Sequence, residues 1–205
     1  MEETIKKTIE NLRAHSFSAE YVATKEGAKD LVLGLIAPDR RVGVGGSVTV
    51  RELGLIEALK DRGHRVYDHW EKGLSPEEVY ELRIKQQTCD LFLTSVNAVT
   101  KGGELVSVDG AGNRLSAMLF GPKAVIIVAG VNKIVEDIPE ALARVRNVAA
   151  PLNARRLGRR PPCTETGQCS DCESPERICR STLIMERQST VTDVTVVLVG
   201  EKLGY

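Results

Sequence analysis

Alternation of helix-like and strand-like segments constrains the fold more than any other feature of this 205-residue sequence. Apolar residues recur with helical spacing in one segment and form a short apolar run in the next, along the whole chain. The runs CDLFLTSV (89–96) and KAVIIVAG (123–130) are apolar on both faces, as in strands buried within a parallel sheet. We therefore predict an α/β fold, with a Rossmann-like, mainly parallel sheet covered by helices on both faces.

The element boundaries follow from turn and capping residues. Helices are predicted at 2–14, 25–37, 49–63, 75–87, near 114–120 and at 137–148, and strands at 18–24, 40–45, 64–69, 89–96, 123–130 and in VTDVTVVLVGE. Ser75 and Pro76 mark one helix start as N-cap and first helical residue. ELVSVDGAGN (104–113) predicts a hairpin arm. Residues 1–205 are expected to form one domain, in which 151–180 is an irregular cysteine-rich loop followed by a final strand.

Charge and hydropathy exclude several classes of partner. Lys+Arg and Asp+Glu number 28 each, so no overall field attracts nucleic acid or an anionic membrane. The amino-terminal segment lacks the apolar core of a secretory signal, and the longest apolar run, 124–131, is far shorter than the ~20 residues of a spanning helix. We expect a cytoplasmic protein without nucleic-acid or membrane partners. The three histidines, His15, His64 and His69, fit no hydrolase or metalloprotease motif.

Four of the five cysteines lie in the stretch PPCTETGQCSDCESPERICR. Cys163, Cys169, Cys172 and Cys179 are spaced C-x5-C-x2-C-x6-C among turn-forming residues rather than along an apolar strand. Persistent disulfides are uncommon in a reducing compartment, so this pattern indicates a metal centre. Cys89, within an apolar run, is expected to lie in the core.

Four thiolates suit either a [4Fe–4S] cluster or tetrahedral zinc. Structural zinc sites usually pair two close cysteine knuckles, whereas this segment has one, Cys169 and Cys172. The uneven spacing favours the cluster and leaves zinc, or no metal, as alternatives. Six arginines flank or interrupt the quartet and either offset the negative charge of a thiolate centre or form a solvated basic face: Arg155, Arg156, Arg159, Arg160, Arg177 and Arg180.

A glycine-rich loop, GVGGSVT (43–49), joins a predicted strand directly to a helix. Its glycines allow a ligand to approach the backbone closely, and Ser47 and Thr49 offer hydroxyls. The loop matches neither common nucleotide-binding fingerprint. It predicts a phosphate or carboxylate site, with a tight turn capped by Ser47 or Thr49 as the alternative.

Polar residues also follow the two buried strands. Asn97, Thr100, Lys101 and Glu104 come after 89–96, and Lys133 comes after 123–130. Ligands of open α/β sheets collect at the carboxyl ends of the strands, so these side chains are candidates for the same anion site. A solvated hairpin and an exposed lysine are the alternative interpretations.

Several segments carry a resemblance to a known family: GGSVTVRELG, then NAVTKGGELVSVDGAGNRLSAMLFGPKAVIIVAGVNKIVED, then APLNARRL and the cysteine tail. The chain resembles the LUD-domain family associated with lactate utilisation, from about residue 5 to 205. More distantly it is similar to the ribose-5-phosphate isomerase and CoA-transferase superfamily. By position, that resemblance implies a pocket formed by Gly45, Gly46, Ser47, Asn97, Glu104, Asn113 and Lys133. The isomerases carry aspartates where this chain has 94–97, TSVN, so their acid–base chemistry is not implied.

Together the residues and the resemblance lead us to expect an iron–sulfur LUD-domain protein that binds a small anionic metabolite, a hydroxy acid or a sugar-phosphate-like compound. The cluster would transfer electrons or act as a Lewis acid. The alternative is a non-catalytic accessory subunit of an organic-acid (lactate) oxidation system with a structural four-cysteine zinc site. A redox protein partner and an oligomer are compatible with both, and whether the chain is an enzyme stays open. We also expect 151–180 to fold back so that the metal centre forms one wall of the anion site.

Overall fold

The computed structural model describes residues 2–205 and contains two β-sheets. The helices are α1 (Glu2–Ala14), α2 (Lys25–Leu35), α3 (Val48–Glu52), α4 (Leu55–Asp61), α5 (Pro76–Gln87), α6 (Asn113–Leu119), α7 (Ile138–Arg144), α8 (Ala150–Arg156) and α9 (Cys163–Thr166). The strands are β1 (Ser18–Val22), β2 (Arg41–Val44), β3 (Arg65–Asp68), β4 (Leu91–Thr94), β5 (Ala98–Thr100), β6 (Leu105–Asp109), β7 (Ala124–Gly130), β8 (Ile134–Val135), β9 (Ser181–Met185) and β10 (Asp193–Val199). A 3₁₀-helix covers Val131–Lys133, and a π-helix, Val145–Ala149, joins α7 to α8.

The large sheet has the order β1-β10-β7-β4-β2-β3, and all of its neighbouring strands are parallel. Alternate residues of β7 enter two different hydrophobic cores. Val125 and Ile127 pack in a core that includes residues of α1 and α6, whereas Ile126 and Val128 pack in one that includes residues of α2, α3 and α4. The predicted α/β architecture, with a parallel sheet and helices on both faces, is confirmed.

The second sheet, β8-β5-β6-β9, is mixed. β5 and β6 form the antiparallel hairpin that the sequence predicts, and β8 pairs with β5 in parallel. The unpredicted strand β9 follows the cysteine segment and pairs antiparallel with β6, with Ser181 opposite Asp109. This pairing returns the chain to the end of β6 immediately after the last cysteine.

One predicted helix is wrong. The helix predicted at 49–63 is divided into α3 and α4, because Gly54 adopts a left-handed conformation with φ of 60°. The segment 151–180 is mostly irregular, as predicted, although buried residues such as Ala149 and Ala154 extend the preceding helix through the π-turn to Arg156. Among the helices of residues 2–205, none is long and apolar enough to span a bilayer.

Local signals at other positions are confirmed. Ser75 and Glu78 form a capping box at the start of α5, with Pro76 in the first turn. Cys89 is buried, and its thiol donates to the carbonyls of Gln86 and Leu91 at 3.1 Å each. Burial raises the pKa of this thiol to about 11. Cys89 is therefore an inert core residue.

Candidate functional site

A cavity of about 640 Å³ opens at the carboxyl edge of the large sheet. The segments that follow β2, β3, β4, β7 and β10 line one side of it, and α8 and the cysteine segment line the other. Six of the residues predicted from the sequence border this space: Gly46, Ser47, Thr49, Asn97, Asn113 and Lys133. The position at a sheet's carboxyl edge is the usual ligand site of open α/β folds.

Four predicted site residues are not among those that line the cavity: Gly45, Thr100, Lys101 and Glu104. Lys101 pairs with Glu136 instead. Glu104 stays at the hairpin turn, where its carboxylate accepts a hydrogen bond from the Thr100 hydroxyl. Gly45 lies behind the loop, and a Cβ there would come within 2.8 Å of the Thr94 hydroxyl oxygen. The structure thus places Gly45 as a packing position beside the cavity.

The glycine loop combines both roles that its sequence suggests. Ser47 is the N-cap of α3, since its hydroxyl accepts from the Val50 amide at 3.2 Å. A Cβ on Gly46 would lie 2.3 Å from Nε1 of Trp70, so only glycine allows the indole to pack on this loop. The loop is a capped turn, and it also forms part of the cavity wall.

Lys133 is buried beneath the cavity with 3 % of its surface exposed. Its Nζ donates to the Thr49 hydroxyl at 3.0 Å, the Ser95 hydroxyl at 2.9 Å and the Val96 carbonyl at 3.2 Å. Burial, together with the positive charges of Arg144 and Arg114, lowers the pKa of Lys133 to about 7. The lysine is therefore a buried amine that is close to its titration point at neutral pH.

Arg114, at the start of α6, reaches the same strand end. Its Nη1 donates to the Ser95 carbonyl at 2.9 Å, and its Nη2 donates to Asn97 Oδ1 at 3.2 Å and to the Val108 carbonyl at 2.6 Å. Burial lowers the pKa of this guanidinium as well. The sequence patterns predict its neighbour Asn113 as a site residue but do not indicate Arg114.

Arg144, half-buried at the end of α7, does not line the cavity itself but completes a group of three cations with the buried Lys133 and the half-buried Arg114. Its Nη1 donates to the Asn97 carbonyl at 2.6 Å and its Nε to the Asn132 carbonyl at 3.2 Å. We call Lys133, Arg114 and Arg144 the cationic floor. Among the ion pairs within residues 2–205, none includes a member of the cationic floor.

Trp70 and Arg156 face each other at the rim of the cavity. The Arg156 guanidinium lies 4.5 Å from the centroid of the Trp70 ring. It also donates to Asn153 Oδ1 at 2.9 Å, and the Tyr205 hydroxyl donates to the same oxygen at 3.2 Å. α8 and the carboxyl-terminal residue are therefore tied together beside the glycine loop.

His69 lines the cavity next to Trp70. Burial lowers the pKa of His69 to about 4, so its ring is neutral at pH 7. Nδ1 lies 2.9 Å from Nε2 of the buried Gln86, an amide nitrogen that also donates to the Val44 and Tyr67 carbonyls. The ring is therefore held against a buried amide at the edge of the cavity.

The cysteine tail, which we define as residues 157–180, brings its four cysteines to one small cavity. Burial raises the pKa of the Cys163 thiol. The nearby thiols of Cys172, Cys179 and Cys169 raise it as well, because neighbouring thiolates would repel one another. All four are free thiols. Within residues 2–205, no three His, Cys, Asp or Glu side chains are grouped as ligands of one metal ion. The thiols thus border a common space, and four thiol donors suit a soft metal or an iron–sulfur cluster.

Arg177 holds the cysteine tail in place from within. Its guanidinium donates to the carbonyls of Cys172 at 2.8 Å and Cys179 at 2.9 Å, and it pairs with Asp171 at 2.9 Å. The Arg180 amide donates to the Asp109 carbonyl at 3.0 Å, at the end of β6. These bonds fix the last cysteine beside the second sheet.

The large cavity and the cysteine cavity share a wall. Four residues line both spaces: Ala150, Arg177, Ile178 and Cys179. The predicted return of the cysteine segment to the cavity at the sheet edge is therefore present in the structure. The π-helix contributes to the same wall, since Val145 and Ala149 line the large cavity and Arg146 lines the cysteine cavity.

Comparison with known proteins supports the fold. The family model described as LUD domain matches residues 5–199. The crystal structure of a DUF162 family protein from Deinococcus radiodurans is similar, with a TM-score of 0.56 and 16 % sequence identity over 96 % of each chain. At that identity the likeness concerns the fold. A search of curated proteins gives no match.

Proposed function

The chain belongs to the LUD domain family, and we propose that it binds a [4Fe–4S] cluster in its cysteine tail and a small anionic metabolite in the adjoining cavity. The metabolite is a hydroxy acid or a sugar-phosphate-like compound, in keeping with a family associated with lactate utilisation. A cytosolic location and a redox protein partner are part of the same proposal, because an exposed iron–sulfur protein needs a reducing environment and an electron donor or acceptor.

The observation that carries the proposal is the wall shared by the two cavities. Cys179 and its neighbours Ile178 and Arg177 border both the thiol cavity and the large cavity. A cysteine tail that served only as a structural staple would not need to lie at a ligand site. A cluster held there would lie beside a bound metabolite, within one residue layer of it.

The chain's own residues have distinct tasks in this arrangement. The four thiolates hold the cluster, which when bound supplies electron transfer or a Lewis-acidic iron. Arg177 fixes the backbone of two of those cysteines through its bonds to the Cys172 and Cys179 carbonyls. Lys133, Asn97 and the Ser47 loop orient the metabolite at the sheet edge, where Lys133 holds or releases a proton near neutral pH.

The cluster is tested by purifying the protein without oxygen and measuring iron, acid-labile sulfide and the visible spectrum. We expect about four iron and four sulfide per chain. Cys172→Ser should lose most of both. Cys89→Ser, the matched control in the core, should keep both, because the Cys89 thiol lines neither cavity. Stoichiometric zinc without charge-transfer absorbance would refute the cluster and favour an accessory protein with a structural zinc site.

The anion site is tested separately by thermal unfolding with hydroxy acids and phosphorylated sugars. Binding to the native state stabilises it by RT ln(1 + [L]/Kd), so a ligand at a hundred times Kd adds about 2.7 kcal/mol. We expect at least one of these anions to raise the unfolding temperature of the wild type. A panel without any shift at millimolar concentrations would rule out the proposed metabolite site.

A further inference from the structure

We infer that the metabolite of the large cavity carries at least two negative charges on one small molecule, because the cations of the floor and the rim outnumber the carboxylates beside them. This inference rests on the proposed anion site and narrows its ligand to divalent anions. It separates phosphate esters and dicarboxylates from a monocarboxylate such as lactate.

The cationic floor is costly to maintain without a ligand. Burying a charged side chain is unfavourable unless an opposite charge and hydrogen bonds compensate it. Lys133, Arg114 and Arg144 donate to hydroxyls, an amide oxygen and backbone carbonyls, none of which carries a full negative charge. All three converge on one short segment, Ser95–Asn97, so they also repel one another.

The floor and the rim hold more positive charge than the carboxylates around them can offset. Three rim cations, Arg83, Arg156 and Arg180, line the cavity and are absent from the ion pairs of residues 2–205. The lining contains two carboxylates, Asp109 and Glu176. Glu176 already pairs with Arg159 at 4.0 Å.

Two carboxylates act on the floor: Asp109 attracts Arg114, and Glu52 attracts Lys133. The oxygens of Asp109 are also engaged, since its Oδ1 accepts from the Gly110 amide and its Oδ2 from the Arg114 amide, each at 3.1 Å. The three floor cations and the three rim cations therefore leave a local excess of positive charge, in a chain whose overall charge is +0. A ligand with two charges would offset more of this excess than a monocarboxylate would.

The donors at the site suit a phosphomonoester or a dicarboxylate. Planar guanidinium groups bind such anions through paired hydrogen bonds, and the Thr49 and Ser95 hydroxyls beside Lys133 offer further donors. The cavity volume of about 640 Å³ accommodates a small metabolite rather than a bare ion alone. Charge selects the class of ligand, and shape selects the compound within that class.

The inference is tested by binding at constant ionic strength with four probes: inorganic phosphate, glucose 6-phosphate, malate and lactate. We expect the better of glucose 6-phosphate and malate to bind at least about tenfold more tightly than lactate, since a second charge adds a second favourable interaction. Preference for glucose 6-phosphate identifies phosphate chemistry, and preference for malate identifies dicarboxylate chemistry. Lactate binding as tightly as both would overturn the inference while leaving the anion site standing. If none of the four probes binds, both the inference and the proposed anion site are overturned.

A charge-removing variant provides a second readout. Lys133→Met keeps the length of the side chain and removes a floor cation, so we expect the ratio of divalent to lactate affinity to fall at least about fivefold. Lys123→Met, at the exposed amino end of the same strand, is the matched control and should leave the ratio unchanged. An unchanged ratio in Lys133→Met, in a variant that unfolds as cooperatively as the wild type, would overturn the inference. If Lys133→Met fails to fold, Arg156→Gln on the rim supplies the same comparison.

Discussion

The cationic floor and the cysteine tail are both rich in positive charge, but they are built in opposite ways. The floor side chains are buried (Lys133) or half-buried (Arg114 and Arg144), donate to neutral acceptors and project from segments that the two sheets and their cores fix. The arginines of the tail lie near the surface, and two of them pair with carboxylates, Arg177 with Asp171 and Arg159 with Glu176. The floor therefore has an excess of positive charge in a rigid part of the fold. The tail has balanced charges in a segment with few packing contacts.

This difference indicates which site is preformed. The floor keeps its geometry without a ligand, because each of its side chains already donates to acceptors in the fold. If the proposed cluster is present, the tail depends on it for order, since among the described residues no hydrophobic core cluster includes residues 157–180. Four measurements would test this difference.

The largest effect is expected at Arg114. Arg114→Met should lower the free energy of unfolding by about 3–5 kcal/mol, because it removes the guanidinium that donates to Asn97 Oδ1 and to the Ser95 and Val108 carbonyls. Urea denaturation with an unchanged slope would measure the loss. Arg180→Met, at an exposed arginine of the tail, should change stability by less than about 0.5 kcal/mol. Equal losses of unfolding free energy in the two variants would contradict the proposed difference between the cationic floor and the cysteine tail.

The second effect is a pH dependence that belongs to Lys133. Its folded pKa of about 7 lies below the unfolded value of about 10.4, so the unfolded chain binds more protons between these values. Stability should therefore rise with pH in this window. From pH 7.5 to 9.5 we expect the wild type to gain about 2 kcal/mol relative to Lys133→Met, measured by urea denaturation at each pH. If the two proteins gave parallel curves of unfolding free energy against pH, the pKa of the Lys133 amine would not be depressed.

The third effect concerns metal removal. Apoprotein prepared with a chelator under reducing conditions should lose protection from amide hydrogen exchange in the cysteine tail, while β7 and β10 keep theirs. The free energy of global unfolding should fall by less than about 1 kcal/mol, because residues 157–180 lie outside the hydrophobic core clusters. Cooperative loss of protection across both sheets would mean that the tail is integral to the fold.

The smallest effect is expected from the ion pair of the tail. Asp171→Asn removes the partner of Arg177 and retains a residue type that tolerates the positive φ of 47° at this position. Exposed ion pairs contribute about 0–1 kcal/mol, so thermal unfolding of the two proteins should nearly coincide. A loss above about 2 kcal/mol would place the tail among the rigid parts of the molecule.

Sequence patterns predicted the elements whose periodicity is set by burial. The residues of β7 enter two cores, so its apolar run is typical of a strand buried on both faces. The Ser75 capping box marks the start of α5. The break at Gly54 was missed because a glycine within a helical pattern also fits an uninterrupted helix. β9 was missed because a short edge strand needs its partner β6 to be recognised.

The candidate site was predicted in part for a related reason. Hydroxyl, amide and lysine side chains directly after buried strands are expected at the carboxyl edge of the sheet. This rule correctly predicted that Ser47, Asn97 and Lys133 line the cavity. Arg114 and Arg144 lie on short helices, where an arginine is ordinarily solvated or placed at a helix end. Their burial depends on the way in which the second sheet and α7 meet β4, and no local pattern records that arrangement.

The central claim is that the cysteine tail holds a cluster at the wall of the anion cavity. The most direct measurement is the electron paramagnetic resonance spectrum of the anaerobically purified, reduced protein, titrated with the tightest-binding anion found by thermal unfolding. The account predicts a spectrum of a reduced [4Fe–4S] cluster whose g-values shift on addition of the anion, with a half-saturation equal to the Kd for binding. A cluster spectrum that stays unchanged when the anion site is saturated, or the absence of any cluster spectrum, would contradict it.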